Sequence, residues 1–130
     1  AQFYQLEGLC VDETASLAHL KGVLEYFFTE FFGSNVEVRF RPSFFPFVEP
    51  GVEVDMKLEP NANNKLSGKW IEIMGAGMVH PNVLRAAGIS PDRYQGFAFG
   101  MGMDRLAVMK FGIDDIRLLY SGDLRLINQF

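Results

Sequence analysis

Polar and apolar side chains alternate over residues 3–11, with Phe3, Gln5 and Glu7 on one side and Tyr4 and Leu6 on the other, before Leu9, Cys10 and Val11. A period of two is that of a strand, so Gln5 and Glu7 share a face. That face is either solvated or the floor of a site that offers an amide and a carboxylate. The period then changes. After a turn at Asp12 to Ala15, Ser16 offers an N-cap and Leu17, Leu20, Leu24, Phe27, Phe28 and Phe31 recur at helical spacing. Gly33 supplies a left-handed C-cap. The pattern predicts an amphipathic helix packed on a sheet, with His19 on its surface and without a partner at metal-ligand spacing.

Val36, Val38 and Phe40 alternate with Glu37, Arg39 and Arg41, a half-buried strand that Pro42 is expected to break. Residues 43–51 hold three phenylalanines, two prolines and a glycine. They read as a stiff connection that presents aromatic rings, either as a plug under the sheet or to grip a flat apolar group. Val52, Val54 and Met56 alternate with Glu53, Asp55 and Lys57, Glu59 to Gly68 is a polar hairpin loop, and Lys69 to Met74 is the return strand. It runs into Gly75-Ala76-Gly77-Met78-Val79, a shelf of small residues that His80-Pro81 ends. Asn82 to Ala87 is a short helix stopped by Gly88, and Ile89 to Asp92 is a turn.

A second shelf follows. In Gly96 to Arg105, Phe97, Phe99 and Met101 alternate with small residues, so one strand face is nearly bare backbone. Glycine weakens a strand unless something must approach its backbone. After Gly102, Leu106 and Met109 take up helical spacing, which places Arg105 in the first turns of a helix that runs to about Gly112. A guanidinium beside bare backbone can stack on a purine face and meet phosphate. The alternative is a tight junction with Arg105 in a structural ion pair. Short helical turns are expected over 114–130. The order of elements predicts an α+β fold, an antiparallel sheet flanked by helices on one face. Two glycine shelves, an aromatic connection and a Gln/Glu strand would together let a ligand approach one sheet face.

The chain has 130 residues, enough for one core, and 13 phenylalanines. Sixteen acids against twelve bases leave no broad nucleic-acid footprint. Cys10 stands alone, which excludes a disulfide framework and a cysteine zinc site and points to a reducing compartment. No apolar run approaches a membrane span. The chain opens inside a strand without a methionine or a leader, and we expect it to be a piece of something longer.

These residues resemble the catalytic domain of bacterial phenylalanyl-tRNA synthetase alpha subunits along essentially the whole chain. The marks are Gln5-Leu6-Glu7-Gly8, Val38 to Ser43, Phe45 to Pro50, Gly75 to Pro81 and Gly100 to Ala107, together with Gly112 to Arg117 and Asp123-Leu124-Arg125 near the end. Gly100 to Ala107 is similar to motif 3 of class II aminoacyl-tRNA synthetases, and the Phe45 and Gly75 stretches make the amino acid specific. The resemblance implies the C-terminal part of a class II core spanning 1–130. It implies formation of phenylalanyl-adenylate from phenylalanine and ATP with magnesium, then transfer to tRNA(Phe), in a cytoplasmic enzyme of two alpha and two beta subunits.

By the same resemblance Gln5 and Glu7 bind the substrate ammonium, Phe45, Phe47 and Val48 grip its ring, and Ala98 lines the pocket bottom. Gly75 and Gly77 allow close approach on the amino-acid side, and Gly100, Gly102 and Arg105 serve ATP, with Arg105 the catalytic charge. Glu49 and Glu72 are candidate magnesium ligands. The family pattern usually has His where Tyr4 stands and often Cys where Ala76 stands. Motif 1, the start of motif 2 with its phosphate-binding Arg, the tRNA-binding arm and the beta subunit lie outside these residues. Little adenylation is therefore expected of the chain alone. Two alternatives are a non-catalytic paralogue that binds an amino acid or a partner protein, and a structural domain whose glycines serve packing.

Overall fold

The structure is a computed structural model and describes residues 4–60 and 66–111. Phe3, the middle of the loop after Leu58 and the turns expected over 114–130 lie outside the described residues. Eight elements follow in order: β1 (Gln5–Asp12), α1 (Leu17–Phe32), β2 (Val36–Phe45), β3 (Val48–Leu58), β4 (Trp70–Val79), α2 (Pro81–Ala86), β5 (Gln95–Gly102) and α3 (Met103–Phe111). The strands form one sheet in the order β1-β5-β4-β3-β2, and every neighbouring pair is antiparallel. The α+β expectation therefore holds.

The sheet's two faces differ as the alternation dictates. On one, Leu20, Leu24 and Phe28 of α1 and Leu106 and Met109 of α3 bury against Val38, Val54, Met56, Met74, Phe97 and Met101. Each fully buried side chain of this size contributes about 1.5–3 kcal/mol. Ser16 caps α1 by accepting the His19 N–H, and Gly33 closes it at φ 67°. His19 itself is exposed, as expected. Among the described residues no helix is long and apolar enough to cross a membrane.

Two expectations need correction. Pro42 does not end a strand: β2 continues through it, with Pro42 opposite Val52, to Phe45. The sheet order explains this, because among the described residues β2 lies at the edge and alternate N–H groups there have no ladder partner to lose. Residues 43–51 are accordingly not a long connection. Phe45 pairs with Val48, and only Pro46 and Phe47 lie in the turn. The register shifts between Ser43 and Phe45 and between Val48 and Gly51, which bends the hairpin tip over the sheet. The His80 N–H donates to the Phe47 carbonyl at 2.9 Å and pins that tip. The His80 ring in turn accepts the Asn82 N–H at 3.0 Å, capping α2.

Candidate functional site

Register builds the site on the sheet face opposite the helices. Glu7 of β1 lies opposite Gly100 of β5, Gly100 opposite Gly75 of β4, Gly75 opposite Glu53 of β3, and Glu53 opposite Arg41 of β2. The neighbouring row runs Leu9, Ala98, Gly77, Gly51 and Ser43. Residues directly opposite share a face. A carboxylate thus looks across two bare positions, and a leucine looks across an alanine and two glycines.

The glycines differ in what they make room for. A Cβ at Gly75 would lie 2.8 Å from Cζ of Phe45, so the Phe45 ring rests on that bare backbone. Phe47 stacks beside it, centroids 6.5 Å apart and planes at 25°. A Cβ at Gly77 would overlap the Pro50 carbonyl oxygen and approach Cβ of Val48 to 2.9 Å, so Gly77 seats the bent hairpin. Gly100 has only the Glu7 side chain near it, 3.7 Å from where a Cβ would be. Open space therefore remains above Gly100 and Ala98, bounded by β1 on one side and by the Phe45 and Phe47 rings on the other.

That space is a cavity of about 630 Å³. It gathers Gln5, Glu7, Phe45, Phe47, Val48, Gly75, Ala98 and Gly100 from the sequence-predicted set. Gly77 and Gly102 do not line it, and neither do Arg105, Glu49 or Glu72. Gly8, Leu9, Ala76 and Phe99 line it without having been predicted. The period-two signal that joined Gln5 to Glu7 also reaches Leu9, two residues further on.

Arg105 lies in the first turn of α3, exposed, with Nη1 donating to the Glu72 carbonyl at 3.0 Å. The same helix start is tied to β1: the Met103 N–H donates to the Tyr4 carbonyl at 2.9 Å, and the Tyr4 N–H donates to Asp104 Oδ2 at 3.2 Å. The ion-pair alternative for the Arg105 side chain meets a backbone carbonyl instead of a carboxylate.

Beyond Glu72 the face is filled with charge. Arg41 donates from Nε to Asp55 Oδ2 at 2.6 Å and from Nη2 to Asp55 Oδ1 at 2.9 Å. It also reaches Glu72 at 3.2 Å and Glu53 at 3.1 Å. Arg39 Nε adds a 2.8 Å bond to Asp55 and lays its guanidinium over Trp70. Asp55 is 2% exposed. The Arg41 fork holds its carboxyl below the usual range, burial works against this, and Arg39 adds to the lowering. The Arg41 guanidinium is correspondingly pushed up, mainly by its hydrogen bonds to Asp55.

These pairings bear on magnesium. Glu72 is engaged by Arg41 and Glu49 lies exposed beside a cis peptide to Pro50. Among the described residues no three His, Cys, Asp or Glu side chains converge on a cation position. Magnesium needs only one or two carboxylates besides water and substrate phosphates, so a three-ligand protein cluster is not what it requires.

A family model described as the tRNA synthetases class II core domain (F) matches residues 1–130. Among curated proteins, the chain is 53% identical over 128 residues to proteins named phenylalanine--tRNA ligase alpha subunit from Aliivibrio fischeri and Photobacterium profundum. It is 52% identical to the protein of that name from Vibrio campbellii. Each match covers 98% of this chain and 37% of the relative's length.

Proposed function

The chain belongs to the class II core domain family of tRNA synthetases, and from that premise we propose that it forms the phenylalanine site and one side of the ATP site of a phenylalanine--tRNA ligase alpha subunit. The reaction is attack of the phenylalanine carboxylate on the α-phosphorus of ATP, releasing pyrophosphate, followed by acyl transfer to the terminal adenosine of tRNA(Phe). Such chemistry rests on positioning and charge stabilisation, without a covalent bond to the protein.

The observation that carries this reading is the cavity in which Glu7 faces the bare backbone of Gly100 while the Phe45 ring lies on Gly75. Glu7 and Gln5 take the ammonium, since a carboxylate gives it a charge-assisted bond. Phe45 and Phe47 hold the ring in the offset geometry aromatic pairs prefer, and Ala98 leaves it room from below. Gly100 and Gly102 lead out of the cavity to Arg105, whose guanidinium lies against the adenine and phosphates of ATP. Magnesium would arrive on those phosphates, and no step here runs through it. In the parent enzyme the partners are a second alpha subunit and beta subunits, and the compartment is the cytoplasm.

In the full-length ligase, Glu7→Gln is expected to raise KM for phenylalanine roughly 10- to 100-fold, the range for a lost charged hydrogen bond, and to leave KM for ATP near its parent value. Pyrophosphate exchange measured against each substrate checks this. An unchanged KM for phenylalanine removes the reading.

A further inference from the structure

We propose that Leu9, together with Ala98, sets the length limit of the side chain that this cavity accepts. The inference rests on reading the cavity as the phenylalanine site. Leu9 lies directly opposite Ala98 and on the same strand face as Glu7. Two residues along a strand advance about 6.6 Å, comparable to the reach from an amino acid's ammonium to the far edge of its phenyl ring. With the ammonium on Glu7, the far end of the ring arrives at Leu9.

The other walls are fixed or small. Val48 is 3% exposed and wedged against Gly77 and Gly51. Phe45 and Phe47 cover the side across from β1. Leu9 is 68% exposed although it lines the cavity, so its side chain is the apolar wall that a ligand would cover. Its backbone cannot easily retreat: a Cβ at the adjacent Gly8 would overlap the Phe99 ring, which lies flush on β1 from the core side. Size selection at this end therefore falls to the Leu9 side chain and to the floor beneath it.

The test uses the full-length ligase and pyrophosphate exchange with phenylalanine and para-chlorophenylalanine, with calorimetric binding of both. Leu9→Ala is expected to raise the para-chlorophenylalanine to phenylalanine ratio of kcat/KM about tenfold, the scale of a small group in an apolar pocket. Leu9→Phe should raise KM for phenylalanine more than it lowers kcat. Ala98→Gly is the reference. If Ala98→Gly raises the ratio and Leu9→Ala leaves it unchanged, the role of Leu9 is overturned while the phenylalanine site stands. If neither moves it, the reading of the cavity falls and the inference with it. Should Leu9→Ala lose activity towards both amino acids, Leu9→Phe decides: an unchanged KM for phenylalanine overturns the proposal.

Discussion

One sheet face carries two unlike regions. Over β2, β3 and the start of β4, Arg39, Arg41, Glu53, Asp55 and Glu72 satisfy one another. Over β1, β5 and the end of β4, Glu7 faces two glycines, and among the described residues no ion pair engages it. The first region is closed, with its donors and acceptors used within the fold. The second leaves a charge, two rings and bare backbone facing the cavity. Side-chain volume makes much of the difference, and the charged region also carries a register shift between Val54 and Asp55 that the β1–β5 pairing lacks. Where large charged residues sit opposite each other they pair, and where glycine sits opposite a carboxylate they cannot. Arg105 stands at the boundary and holds the backbone of Glu72, not its carboxylate.

The sharpest way to break this comparison uses two glycines. Gly77→Ala drives a methyl into the Pro50 backbone and is expected to destabilise the fold by about 3 kcal/mol, the upper range for overpacking. Gly100→Ala meets only the Glu7 side chain at 3.7 Å, so it should leave the urea midpoint nearly unchanged while it weakens phenylalanine binding. Equal stability effects at both sites would erase the distinction between seat and opening.

A smaller effect is expected in the closed region. Asp55→Asn removes the shared carboxylate of Arg39 and Arg41 and should lower unfolding free energy by about 2 kcal/mol, as both arginines can still reach water. The carboxyl's folded pKa is depressed, so its contribution is fully present above the unfolded value near pH 4 and is lost as pH falls through the folded value. Parent and variant should therefore differ at pH 7 and converge in acid. A difference that does not narrow at all as the pH is lowered below about 4 would show that packing, not charge, is what Asp55 supplies. The smallest effect belongs to His19→Ala, on the exposed side of α1, within about 0.5 kcal/mol by thermal unfolding.

Much of the fold was legible because its signals are local. Ser16 and Gly33 bound α1, and period two marks β1, β3 and β5. Pro42 was misread because its tolerance depends on β2 lying at the edge, which sheet order decides and local pattern does not. The same holds for the glycines. Sequence marks Gly75, Gly77 and Gly100 alike as places of close approach, but the bulged hairpin fills the space over Gly75 and Gly77 and leaves Gly100 open. The alternation that marks Glu7 also reaches Leu9, but only the register sets Leu9 against Ala98.

Pro42 has a consequence for how copies of this sheet meet. A free edge presents backbone donors and acceptors to any strand that passes, and fibrous self-pairing starts there. On β2 the proline deletes one donor from the rim, and Glu37, Arg39 and Arg41 add charges along the same strand. Among the described residues, that rim is thereby a poor template for a second sheet.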